Sequence, residues 1–124
     1  VKLRDVEAVT EGRRRLASVY DEYIVNPLVR LPEASPGRHV YHQYVVAVAA
    51  RERFRQYLME NGVETAVHYA VPPHRQPCLS ELGHLHLPVT ERLADEVVSL
   101  PVNPYCTSVD DAKAISEIIN GWRG

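Results

Sequence analysis

Residues 39–49, HVYHQYVVAVA, constrain this chain more than any other segment. The run is rich in Val and Tyr, which fit a pleated surface. A strand alternates its side chains between two faces. Val40, His42, Tyr44, Val46 and Val48 then share one face, and Tyr41, Gln43, Val45, Ala47 and Ala49 share the other. No Asp, Glu, Lys or Arg stands on either face, so both call for cover. At 124 residues the chain suits one domain. Folding at that size hides roughly two-thirds of the extended surface, enough for a real core.

The segments around this strand supply the cover. Leu3, Val6, Val9 and Thr10, then Leu16, Val19, Tyr20 and Tyr23 recur at three- and four-residue steps, the period of an amphipathic helix. Gly12 weakens it by roughly 1 kcal/mol relative to Ala, and Asn26-Pro27 stops it, because a residue before Pro is pushed out of the helical region. Residues 28–31 read as a short strand and 32–37 as a loop. Residues 51–60 read as a helix with Phe54, Tyr57 and Leu58 inward, closed by Asn61-Gly62, where Gly adopts the left-handed conformation. Residues 63–69 form the next strand, 71–77 a proline-stiffened loop, and 79–82 a single turn closed by Gly83. Residues 88–98 read as a helix with Pro88 in its first turn and Leu93, Val97 and Leu100 along one side. Residues 99–103 are extended. Thr107 or Ser108 caps a last helix with Asp110 and Asp111 in its first turn and a stripe of Ala112, Ile115, Ile118, Ile119 and Trp122.

This order predicts a single α+β domain over residues 1–124, with residues 1–25 as a connecting helix. The sheet is small, antiparallel or mixed, with three to four strands and helices packed on one face. The other face is then left for a partner domain.

Charge and composition exclude several functions. A net charge of −2 and a pI near 6.3 give no electrostatic case for nucleic acid. Arg13, Arg14 and Arg15 sit among Asp5, Glu7, Glu11, Asp21 and Glu22 and read as a solvated helix face. No apolar run approaches the roughly 18 residues of a membrane span, and no signal peptide is visible. Cys78 and Cys106 read as reduced thiols of a cytoplasmic protein. There is no initiator Met, and the first residues already read as helix, so the start resembles the middle of a longer chain.

Candidate chemistry is sparse. Six histidines are present, His39, His42, His68, His74, His84 and His86. His84 and His86 lie two apart, but no Cys, Asp or Glu completes a metal set nearby and no HExxH occurs, so no metal site is expected. GxSxG and both phosphate-cradling glycine signatures are missing. A Cys78–His74 pair is conceivable, though proximity in a loop is weak ground for a nucleophile. A Schiff base with pyridoxal phosphate (PLP) needs a lysine held in a pocket. Only Lys2 and Lys113 are available, one at the start of the first helix and one among acids in the last. No catalytic residue and no cofactor is therefore expected of this chain alone. The place to look is His68-Tyr69-Ala70-Val71-Pro72-Pro73-His74-Arg75-Gln76-Pro77, where a strand end feeds a rigid loop, as at many binding sites. His68 is suited to hydrogen bonding or proton shuttling near neutral pH, or is satisfied by a backbone carbonyl.

That segment resembles the HYPxPxHxQP stretch of the DegT/StrS family of nucleotide-sugar aminotransferases, matching at His68, Tyr69, Pro72, His74, Gln76 and Pro77, with Ala70 where the family usually has Pro. Residues 41–46 resemble the family's YHLYVI strand, 51–62 its R..L...L...GI helix, 87–101 its FPVAERLADEILSLP segment, and 13–20 its RR.IA..Y helix. The matches cover nearly the whole chain in order. The resemblance implies the small C-terminal domain of a fold type I PLP aminotransferase. In such an enzyme a large N-terminal domain carries PLP on a lysine. The small domain closes one side of the active site, and dimers move an amino group to a nucleotide-linked keto sugar. It implies His68 as the best substrate-binding residue, Tyr69 and His74 as weaker members of the same wall, and His42 in core or interface packing. It also implies that this chain, without the lysine-bearing domain, is inactive by itself.

Two other readings stay open. The chain is a standalone binding or regulatory module that pairs with an aminotransferase or binds a nucleotide sugar, or it is a small enzyme using His74 and Cys78. The fragment reading further predicts an exposed apolar patch where the large domain would pack.

Overall fold

Helix α1 (Val6–Tyr23) follows a 3-10 turn (Lys2–Asp5) and buries Leu16, Ala17, Val19 and Tyr20 on one stripe. The computed structural model describes residues 2–33 and 37–124. The side chain of Leu3 and residues 34–36 of the expected loop lie outside the described residues. Gly12 has a reason beyond helix propensity: a Cβ there would stand 2.7 Å from the Cβ of Pro104. The missing side chain lets α1 sit directly on the chain that follows the sheet. After Tyr23 the chain turns outward, and buried Asn26 donates from Nδ2 to the carbonyls of Ile119 (2.8 Å) and Trp122 (3.0 Å). Asn120 returns the favour, accepting from the Val25 N–H (2.9 Å) and donating to the Tyr23 carbonyl (2.8 Å). The two helix ends thus satisfy each other's carbonyls, which would otherwise lack partners.

The sheet is smaller than expected. It has two strands, β1 (Tyr44–Ala47) and β2 (Val97–Leu100), antiparallel, with Tyr44 opposite Leu100 and Val46 opposite Val98. The other two expected strands reach it only through isolated bridges, Arg30 to Ala47 on one edge and Ala66 to Ser99 on the other. The expected order of four extended segments survives, but not as a three- or four-stranded sheet. The causes are local. Tyr41 has φ of +43°, a rare conformation for a bulky residue, so the path before Tyr44 turns out of the ladder and leaves Val40 and His42 exposed. Beyond Ala66 the chain runs into Pro72, Pro73 and Pro77, which lack the N–H a ladder needs. The helix expected over 88–98 ends as α3 (Pro88–Glu96), because β-branched Val97 and Val98 join β1 instead.

One face of the sheet is fully buried. Tyr44, Val46, Val98 and Leu100 are at most 3% exposed. They pack against α1, α2 (Arg51–Glu60) and α4 (Val109–Gly121) in a single core that includes Leu16, Tyr20, Phe54, Leu58 and Ile119. Burying Phe54 or Leu58 contributes on the order of 1.5–3 kcal/mol. Tyr20 and Tyr44 pack at 4.9 Å, and Phe54 meets Trp122 edge-on at 5.0 Å. Gly62, with φ of +78°, ends α2 as expected. Ser108 opens α4 in a capping box with Asp111.

The opposite face carries Val45, Ala47 and Val97, each only partly buried, with buried Ser99. Val97 of this face shares a concavity with α3 (Thr90, Leu93) and with Pro73 and Leu79 of two 3-10 turns (Pro73–Arg75 and Pro77–Leu82). Cover on both faces is therefore uneven, and the functional candidates stand on the open side. Among the described residues no helix is long and apolar enough to cross a membrane.

Candidate functional site

The bridge at Ala66 fixes where the chain leaves the sheet. Ser99 donates its N–H to the Ala66 carbonyl (2.8 Å) and accepts from the Ala66 N–H (3.3 Å). Two residues on, Nδ1 of His68 lies 2.9 Å from the Ser99 hydroxyl oxygen. The imidazole is thus anchored through one nitrogen to a buried residue of β2, while the residue itself is exposed. Tyr69 follows across a cis peptide, 76% exposed, its ring edge-on to that of His68 at 5.7 Å.

His68 stands between two concavities. One, of about 450 Å³, is mostly apolar and includes Tyr69, Val71, Pro72, Leu79, Leu93 and Val97. The other, of about 500 Å³, sets Arg13, His42, Gln43, Ser99 and Asn103 among apolar Leu100, Pro101 and Val102. His42, expected in core or interface packing, is exposed on this rim rather than in the core. The apolar concavity, together with exposed Leu87, Val89 and Leu93, forms an open apolar area on the side where a partner domain was expected.

His74 is placed differently from His68 and Tyr69. It is 3% exposed and lines neither concavity. Its Nε2 lies 3.0 Å from Glu91 Oε1, which also accepts from Arg75 (3.0 Å) and the Leu87 N–H (3.2 Å). Glu91 Oε2 lies 3.1 Å from Nδ1 of His86. The His74 hydrogen bond, then those from Leu87 and Arg75, hold the Glu91 carboxyl down at about 2. Glu91 thus ties the loop carrying His68 to the first turn of α3. The pairing is not evident from the sequence, because the acid is 17 residues from His74. The available signal was Glu91 in the first turn of a Pro-started helix, just after His84 and His86. With Nε2 turned to Glu91 and Nδ1 buried without a partner among the described residues, His74 does not pair with Cys78, so the nucleophile reading lacks its base. Both thiols are exposed and free. Among the described residues no three His, Cys, Asp or Glu side chains are grouped to hold a metal.

The model of the DegT/DnrJ/EryC1/StrS aminotransferase family matches residues 1–120. The chain belongs to that family. It is 37% identical over 123 residues to the dTDP-3-amino-3,6-dideoxy-α-D-galactopyranose transaminase of Aneurinibacillus thermoaerophilus, covering 98% of this chain and 34% of that protein. It is 39% identical over 98 residues to a UDP-N-acetyl-3-dehydro-α-D-glucosamine 3-aminotransferase of Acidithiobacillus ferrooxidans, covering 78% and 27%. In structure it is similar to DesV of S. venezuelae, solved with a ketimine intermediate, with a TM-score of 0.89, 28% identity, and 98% and 33% coverage. The chain therefore spans about a third of the length of these relatives.

Members of this family use PLP; of the two lysines, the side chain of Lys2 lies outside the described residues. Lys113 lies in α4 with its Nζ over the Tyr23 ring, 5.4 Å from the centroid. That contact joins α4 to the end of α1. No step through PLP is assigned to this chain.

Proposed function

We propose that residues 1–124 are the small domain of a PLP-dependent sugar aminotransferase that transfers an amino group to a nucleotide-linked keto sugar. The observation that carries this reading is the family match over 120 residues. In the whole enzyme, the open side of the sheet faces the large domain and, in a homodimer, a shared active site. His68 and Tyr69 form the small-domain wall beside the substrate. Ser99 holds His68 through Nδ1, so Nε2 is the nitrogen that meets the substrate. His74 supports that wall from beneath, through Glu91. Alone, the chain does not transfer amino groups.

The test is a hybrid in which this chain replaces the matching third of the Aneurinibacillus enzyme. The expected result is a folded hybrid that aminates a dTDP-linked keto sugar, with His68→Ala lowering kcat/KM at least tenfold. A folded but inactive hybrid, or a His68→Ala hybrid with unchanged kinetics, removes the proposal or the role of His68. The isolated chain, mixed with PLP and reduced with borohydride, is expected to gain no mass; a stoichiometric adduct on Lys2 or Lys113 overturns the claim that it is inactive alone.

A further inference from the structure

The hydrophobic core takes no side chain from residues 64–97. Within that stretch only His74 and Ala94 are buried. Apolar groups do face the sheet from it, but across an open space: Pro72, Leu79 and Leu93 line a concavity of about 450 Å³ with Val97 instead of closing on it. Segments poor in buried apolar contacts open at a free energy below that of global unfolding.

What holds the stretch together is polar and internal. Glu91 Oε1 accepts from His74 Nε2 and Arg75 Nη2, both at 3.0 Å, and from the Leu87 N–H at 3.2 Å. Its Oε2 lies 3.1 Å from His86 Nδ1. One carboxylate therefore joins the turn at Pro73–Arg75 to the chain entering α3. Arg75 also reaches the Gly83 carbonyl at 3.4 Å, and Gln76 donates to the Val71 carbonyl at 2.9 Å. Apart from the ladder of α3, every hydrogen bond of residues 69–93 among the described residues closes within 69–93. The ties to the sheet lie just outside these limits. At one end Ala66 and His68 hold Ser99. At the other, the Val48 N–H donates to the Glu96 carbonyl at 2.9 Å, Arg30 pairs with the Glu96 carboxylate at 2.9 Å, and Arg51 donates to the Ala94 carbonyl.

We infer that residues 69–93 are a lid that orders and unfolds as one unit while the rest of the chain stays folded, and that Glu91 is the positioning residue that keeps it ordered. His68 stays with the sheet through Ser99, whereas Tyr69 is carried by the lid. The two residues of the wall thus differ: one is fixed, and the other is present only when the lid is ordered. The lid follows from the packing alone. That it orders beside a nucleotide sugar rests on the proposed aminotransferase function.

The experiment is native-state hydrogen exchange of the 124-residue chain at rising, sub-denaturing urea. The hydrogen-bonded amides of Gln76, Leu79, Gly83, Leu85 and Glu91 are expected to share one opening free energy and one urea slope, both smaller than those of Phe54, Val63, Val46 and Val98. Ile119→Val, which trims the core far from the lid, is expected to speed exchange of the core amides at least twofold and leave the lid amides unchanged. Glu91→Gln is expected to speed exchange of the lid amides roughly tenfold, because one carboxylate serves several donors. The ordered lid is part of the ground state, so the core amides speed up by no more than the same factor. Lid amides that follow the core's urea slope, or that respond to Ile119→Val as the core does, overturn the lid. Lid exchange unchanged in Glu91→Gln overturns the role of Glu91.

In the aminotransferase hybrid, a site competent only when the lid is ordered binds more weakly in proportion to the time it is not. Glu91→Gln is then expected to raise KM for the dTDP-linked keto sugar at least threefold and to change kcat less than twofold. An active hybrid with unchanged KM overturns the positioning role. An inactive hybrid with lid exchange as expected removes the proposed function and leaves the lid standing.

Discussion

The hydroxyl of Ser99 and Nδ1 of His68 lie 2.9 Å apart, joining a buried strand residue to an exposed loop histidine. A neutral imidazole carries its proton on either nitrogen, and a partner at one nitrogen selects the tautomer. Ser99→Ala is expected to turn one dominant His68 tautomer into a mixture, read from long-range 1H–15N spectra of the ring. Stability should fall by no more than about 1 kcal/mol, the usual net worth of one hydrogen bond. An unchanged tautomer ratio would show that Ser99 does not orient the ring.

Gly12 supplies a prediction in which two effects oppose. Helix propensity alone makes Gly12→Ala stabilising by about 1 kcal/mol. The new methyl would stand 2.7 Å from Cβ of Pro104, an atom of a rigid ring. Overpacking of this kind costs about 1–3 kcal/mol, so the variant is expected to be destabilised on balance. The midpoint of urea unfolding gives the sign directly.

Glu91 makes the fold sensitive to acid. Its carboxyl is held at about 2 in the folded chain, against about 4.3 in an unfolded one. A depressed folded value means the contribution is fully present above the unfolded value and is lost as pH falls from about 4.3 toward 2. Glu91→Gln is expected to flatten the fall in stability across that window, measured as urea midpoints at successive pH values. Equal slopes in the two proteins below pH 4 would mean that the hydrogen bonds around Glu91 do not contribute to stability.

Ser108 accepts from the Asp111 N–H at 3.1 Å, and Asp111 accepts from the Ser108 N–H at 2.8 Å. Ser108→Ala is expected to cost about 1 kcal/mol, seen as a lower melting temperature without loss of folded-state spectrum. Thr in its place should restore most of it.

How far the sequence goes differs between helices and strands for a physical reason. A helix closes its hydrogen bonds within itself, so the spacing of Leu16 and Tyr20, of Phe54 and Leu58, or of Ser108 and Asp111 is enough to locate it. A strand exists only if a neighbour pairs with it. Residues 63–69 have the composition of a strand, yet only Ala66 meets Ser99, and residues 28–31 have only Arg30 against Ala47. The boundary between α3 and β2 was set by what Val97 and Val98 meet across the ladder, which their own segment does not reveal. The candidate site follows the same rule. His68 and Tyr69 stood out because a local strand end and proline loop displayed them. Ser99 and Glu91 did not, because each matters through residues far away in the chain.

The paired amides of Asn26 and Asn120 have a consequence for how the molecule opens. Each bonds the other helix's last turn, so neither end of α1 nor that of α4 can fray without releasing carbonyls of its neighbour. Amides in these two turns, nearly a hundred positions apart in the chain, should therefore exchange with solvent deuterium as one cooperative unit rather than as two loose tips.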